Sequence, residues 1–157
     1  MAVDYYLKLD GIEGESKVTG YEKQIQLLSF SWGGSQITSV AGTGGSGAGK
    51  VDLSDLSIMK HYDKASIKVF ESLVKGSHIK TGVMCAQKAG GKGAYLKISL
   101  EELFVTSVQD SASSEIPTES VSFSYNKIKI EYSTQNEQGV LQSAGQVSYD
   151  IKTGQVS

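Results

Sequence analysis

The sequence contains no arginine. All fifteen basic residues are lysines, set against seventeen acids for a net charge of −2. The lysines are scattered, whereas nucleic-acid recognition wants a basic stripe and usually arginine, so that partner class is set aside. Cysteine is limited to Cys85, which excludes an internal disulfide. Histidine is limited to His61 and His78, and neither has a second His or Cys at ligand spacing. A zinc or iron site needs more donors than these, so no metal and no cofactor is expected. No apolar run approaches the roughly 20 residues that span a bilayer, so membrane insertion is not expected. The start, Ala2-Val3-Asp4-Tyr5-Tyr6-Leu7-Lys8, has neither a basic n-region nor an apolar h-region and does not read as a secretory signal. The expectation is a protein that begins in the cytoplasm. Any export would then use a route that ignores signal peptides.

Glycine, by contrast, is plentiful, with 18 residues in a chain of 157. Residues 41–50 read AGTGGSGAGK and contain a near-match to a phosphate-binding loop. Such a loop needs G-x-x-x-x-G-K followed by Ser or Thr. Gly44 through Gly49-Lys50 fits, but Val51 stands where the magnesium-binding hydroxyl belongs. The loop must also open a helix, so that N–H groups face the phosphate. Here Val51-Asp52-Leu53-Ser54 alternates with a period of two instead. The segment is therefore read as a long connection between strands, either flexible or ordered only against another subunit.

The remainder is mostly β. A single domain spanning residues 1–157 is expected, large enough to bury about 70% of its unfolded surface. Val3, Tyr5, Leu7 and Leu9 alternate with Asp4, Tyr6 and Lys8, giving a strand with one buried face. A second strand runs near 22–36 and changes phase between Leu27 and Leu28, as a β-bulge would make it do. After the shift, Leu28, Phe30 and Trp32 share the inward face, while Ser29, Ser31 and Gly33 point the other way. A third strand starts at Lys50 and changes phase between Leu53 and Leu56. One helix is expected, N-capped by Ser66, with Ile67, Phe70 and Val74 as its apolar stripe, widened by Val69 and Leu73. Glu71–Lys75 supports it, and Gly76 suits its C′ position. Later strands are read at 83–88, at 95–108 with a break at Glu101-Glu102, at 121–132, and at 147–151. Asn136–Gly145 is read as loop. The fold class is mainly β: a small curved β-barrel or two-sheet sandwich with bulged strands and one short helix.

The case for catalysis is thin. His61 lies beside Tyr62 and Asp63, but a solvated histidine is the plainer reading. Glu101 and Glu102 are neighbours in a strand and point to opposite faces, so one of them at a bulge is preferred to a catalytic pair. Gly44-Gly45-Ser46-Gly47-Ala48 breaks the nucleophile-elbow pattern at its last position. No enzyme activity is expected.

Several segments, in order, resemble the haemolysin-coregulated protein (Hcp) family of type VI secretion systems. Leu9-Asp10-Gly11-Ile12-Glu13-Gly14-Glu15-Ser16 is similar to its opening motif, and Phe30-Ser31-Trp32-Gly33-Gly34-Ser35-Gln36 to its second-strand signature. Gly47 to Val51, Asp55-Leu56, Lys60 to Lys64, Gly76-Ser77-His78 and Lys88 to Gly91 continue the likeness. Ile67 departs from it, since many members carry proline there. The resemblance implies subunits that assemble into hexameric rings and stack into a hollow tube. A contractile sheath propels that tube, with effectors in the lumen or on a spike at the tip. It implies that Gly42, Gly44, Gly45, Gly47, Gly49 and Lys50 act in ring stacking. It turns Ser29 and Ser31 toward the lumen as a cargo face. Two rivals stand beside it: a monomeric adhesive or carbohydrate-binding sandwich using exposed Tyr6, Tyr21 and Tyr62, and a hydrolase with a dispersed site.

Overall fold

The computed structural model describes residues 2–38, 48–91 and 93–157, with backbone alone at 37–38 and 48–50. Among the described residues, twelve strands and one helix follow in chain order: β1 Val3–Leu9, β2 Ile25–Leu27, β3 Ser29–Ser31, β4 Gly34–Thr38, β5 Ala48–Leu53, β6 Leu56–His61, α1 Ala65–Lys75, β7 His78–Lys88, β8 Leu96–Ser111, β9 Thr118–Ser124, β10 Lys127–Gln135, β11 Leu141–Asp150 and β12 Gln155–Val156. Ten of the strands form one antiparallel sheet, running β12-β11-β10-β8-β7-β1-β2, with a branch in which β8 also pairs β9, β9 pairs β6 and β6 pairs β3. Strands β4 and β5 form a second sheet alone. The wall is not a closed barrel. Segment 25–31 pairs with β1 up to Leu27 and with β6 from Ser29, so the ladder is broken at Leu28.

Phase changes along the sequence mark real changes of partner. Ile25 and Leu27 are buried beside β1, while Phe30 and Trp32 pack on the core from the β6 side. Leu28 does not join them, contrary to the inward trio expected. It occupies the break itself, donates its N–H to Met59 O at 2.7 Å and leaves its side chain 47% exposed. The shift between Leu53 and Leu56 separates β5 from β6, which lie in different sheets. At the Glu101-Glu102 break, Glu102 adopts φ 52°, left-handed backbone that is uncommon for a non-glycine residue. Here β8 changes partner from β10 to β9 with no register shift against β7, and the bulge expected at this point lies instead between Val105 and Ser107. β11 begins at Leu141, inside the segment read as loop, and the chain ends on β12 after a turn at 151–154.

The outer face of β1 is not solvated at its middle. Tyr6 is 2% exposed because Tyr21 stacks on it, with ring centroids 4.3 Å apart. Tyr21 arrives there through a folded loop in which Gly14 N donates to Lys23 O and Lys23 N to Ser16 O, both at 2.8 Å. Any side chain at Gly14 would collide with the Gln24 carbonyl.

The helix lies where the sequence placed it but is turned around. It starts at Ala65, whose N–H donates to Asp63 Oδ1 at 3.0 Å, while Ser66 Oγ accepts from Asp63 N at 3.1 Å. Ser66 is therefore within the first turn and buried, not the N-cap. The inner face is small, made of Ala65, Ser66 and Val69 with Leu73 behind them. Ile67, Phe70 and Val74 point outward at 62%, 56% and 68% exposure. Gly76 closes the helix in the left-handed conformation, and Glu71 meets Lys75 at 2.6 Å, both as expected.

Candidate functional site

Three features could serve function. The first is a face of hydroxyl side chains. In β3, Ser29 and Ser31 are exposed on either side of half-buried Phe30. The strand registers carry this face across the sheet: Ser31 is opposite Ser57, Ser57 opposite Ser122, and Ser122 opposite Ser107. The neighbouring row runs Ser29, Met59, Ser120, Gln109. Ser57 and Ser122 hydrogen-bond at 2.9 Å. The opposite side of the same strands carries Phe30, Ile58 and Val121, which face the core. Sequence reasoning found Ser29 and Ser31 and missed the rest. The signal was present in Ser120-Val121-Ser122-Phe123-Ser124, where serine alternates with core residues.

The second feature is the base of the β4–β5 hairpin. Of the residues expected to act in stacking, Gly42, Gly44, Gly45 and Gly47 lie outside the described residues. Gly49 and Lys50 lie in the backbone of β5. Lys50 is thus in a strand and does not open a helix, so the phosphate cradle that a nucleotide site requires is not built on it. Where the hairpin meets the wall, Trp32 Nε1 donates to Tyr125 Oη at 2.5 Å, and that hydroxyl donates to Ser54 O at 2.8 Å. Gly33 and Ser54 exchange three further bonds, 2.8, 2.8 and 2.9 Å long. Burial raises the Tyr125 pKa above its usual value, against the opposing pull of the Trp32 donor. Beside this lies an apolar cleft of about 490 Å³, lined by Trp32, Val51, Leu53, Ile130, Tyr149 and Val156 among others.

The third is a buried ion cluster that the sequence reading missed. Lys60 shares the inward phase of Leu56 and Ile58 and is 0% exposed. Its ammonium donates to Asp63 Oδ1 at 2.8 Å, Ser66 Oγ at 2.7 Å and His61 O at 3.4 Å. Glu119 Oε2 lies 2.9 Å away but off the hydrogen-bond direction, so that contact is coulombic, and neither Glu119 oxygen has a hydrogen bond among the described residues. In the β8–β9 ladder, Asp110 is opposite Glu119. Burial first, and then the Glu119 charge, raise the Asp110 pKa. The signal was a charge of opposite sign at the apolar phase of two strands, Lys60 after Leu56-Ile58 and Glu119 before Val121-Phe123.

The other sequence candidates do not converge. Asp63 is taken by Lys60, and His61 is exposed. Glu101 and Glu102 are both exposed, with Glu102 paired to Lys152 at 2.9 Å. Cys85 is half-buried, and burial pushes its thiol pKa up, away from the thiolate that a nucleophile needs. Among the described residues, no three His, Cys, Asp or Glu side chains gather as metal ligands would. The tyrosines proposed for glycan binding do not form an exposed patch, because Tyr6 is buried under Tyr21.

A family model described as "Type VI secretion system effector, Hcp" matches residues 6–132. The chain belongs to the Hcp family. The hcp1 protein of Pseudomonas aeruginosa strain PAO1 is 35% identical to it over 153 residues, covering 95% of this chain and 94% of that protein. A solved structure of a type six secretion system protein superposes with a TM-score of 0.92 at 29% identity, covering 99% of this chain and all of the other. Hcp1 from Salmonella typhimurium does so with a TM-score of 0.80 at 29% identity over the whole of both chains. The superposed length takes in both sheets and the helix.

Proposed function

We propose that this Hcp protein is a structural subunit of the inner tube of a type VI secretion system. Residues 1–157 act as one unit that closes into a homohexameric ring, and rings stack into a tube. The observation that carries the reading is the superposition of the whole chain, at a TM-score of 0.92, on a type six secretion system protein. The hydroxyl face supports it. A channel wall that passes diverse cargo must avoid a large exposed apolar patch, and short hydroxyls do so while offering hydrogen bonds. A ring also covers strand edges that a free subunit leaves unpaired, and a head-to-tail interface closes by rotation.

In this reading Ser29 and Ser31 line the lumen, with Ser57, Ser107 and Ser122 continuing the wall. Residues 42–50 act between rings. The subunit performs no catalysis and binds no nucleotide or nucleic acid. Its partners are further copies of itself, the contractile sheath, the tip spike and secreted effectors. It assembles in the cytoplasm and is then exported from the cell. No helix of the described residues is long and apolar enough to cross a membrane. Light scattering with negative-stain imaging at micromolar concentration tests the reading. Hexameric rings are expected, and a persistent monomer in mild salt would sink it.

A further inference from the structure

Strands β4 and β5 share no ladder with the ten-stranded sheet. A two-stranded hairpin is marginal in water on its own. Its direction must therefore be set by whatever holds its base. The residues flanking it on either side are Trp32-Gly33 before β4 and Ser54 after β5. Gly33 and Ser54 clasp each other, which closes the hairpin but does not fix it to the wall. Trp32 and Leu53 pack against the core without fixing a direction, and among the described residues the polar link from these flanks to the wall is one oxygen atom. Tyr125 sits between β9 and β10, 8% exposed, and its hydroxyl accepts from Trp32 Nε1 on one flank and donates to Ser54 O on the other. Two bonds to opposite flanks of a hairpin restrain its tilt, whereas one bond would leave a hinge. The aromatic ring fills the core, so the hydroxyl is held on a rigid stem.

We propose that Tyr125 is a positioning residue that sets the angle at which the β4–β5 hairpin leaves the wall, and through it the stacking of one ring on the next. This rests on the reading of residues 42–50 as the stacking element. Tyr125→Phe removes the oxygen and keeps the ring, so packing and ring closure are retained. The full-length protein is assayed for ring formation, for tube growth by sedimentation and negative stain, and for amide hydrogen exchange in Gly34–Gln36 and Val51–Leu53. The exposed Tyr132 supplies a control, Tyr132→Phe. The expected result is intact rings, hairpin exchange faster by roughly five- to tenfold as two modest hydrogen bonds are lost, and several-fold less tube. The control should match the parent. Trp32→Phe, which removes one of the two bonds, should give an intermediate result and serves if Tyr125→Phe does not fold.

A parallel variant with residues 42–47 replaced by a short turn separates the two claims. If that variant stops tube growth while Tyr125→Phe and Trp32→Phe grow tubes normally, the positioning role of Tyr125 is overturned and the stacking reading stands. If it grows tubes normally, the stacking reading itself fails, and the proposal with it. Loss of rings in both latch variants would make Tyr125 a determinant of folding alone and overturn its positioning role.

Discussion

Asp110 and Glu119 face each other across the β8–β9 ladder with a single ammonium, Lys60, on the far side. Burial and the Glu119 charge hold the folded-state pKa of Asp110 above its unfolded value, with Lys60 opposing. The sign follows. An acid whose folded pKa is raised is a cost to the folded state above that pKa, and the cost disappears as pH falls through it toward the unfolded value near ~3.9. Asp110→Asn should therefore stabilise the protein at pH 7 and lose that advantage at or below the unfolded value. Asp110 is exposed and solvent screens it, so the gain is at most about 0.5 kcal/mol, or about 1–2 °C in Tm. Thermal unfolding at both pH values checks it. An equal shift at both would mean that the juxtaposed charges are fully screened.

At the scale of elements, Lys60 ties α1 to the sheet. It bonds Asp63 and Ser66, which shape the helix start, while its stem lies among the core residues of β6 and its charge faces Glu119 of β9. Lys60→Met keeps the volume and removes the charge, leaving Asp63 and Glu119 without their cation. Stranded buried charges cost about 3–5 kcal/mol. Urea unfolding should show that loss, and adding Glu119→Leu should recover much of it. No recovery would mean that the cost lies in helix capping through Asp63 alone. The cluster also explains what the sequence did and did not make legible. The position of α1 could be read from Glu71–Lys75 and Gly76, because these act within the helix. Its facing could not. Hydrophobic stripes point inward only when the surface beneath has room for them. Here α1 packs closely through Ala65, Ser66 and Val69, leaving Ile67, Phe70 and Val74 outside. The breaks at Leu27-Leu28 and Glu101-Glu102 were legible, though neither is the bulge expected, because period-two alternation reports each change of partner directly. The start of β11 was not, since Gln142-Ser143-Ala144-Gly145 has no apolar alternation and is held by its ladder to β10. The Tyr125 latch joins residues 93 positions apart in sequence and left no local trace.

At the scale of the whole molecule, the hydroxyl face decides between a wall that touches cargo and one that merely faces water. Ser31 stands at one end of the row Ser31, Ser57, Ser122, Ser107 and is exposed. Its partner across the ladder, Ser57, bonds to Ser122, so Ser31 is not needed to satisfy the row. Ser31→Gln adds a longer side chain to an open surface and no volume to the core. Surface changes of this kind usually alter stability by less than about 0.5 kcal/mol. Folding and rings should be preserved. If the face lines the lumen of a hexamer, the change is repeated at every subunit around the bore. Export or co-purification of effectors carried in the lumen should then fall sharply, while effectors mounted on the spike travel as before. Unfolding of Ser31→Gln would mean that the side chain packs against something in the subunit. Normal passage of every effector, with rings intact, would remove Ser31 from the cargo path. A selective loss, sparing the spike-borne class, is the outcome that a lumen contact produces and a general defect in tube growth does not.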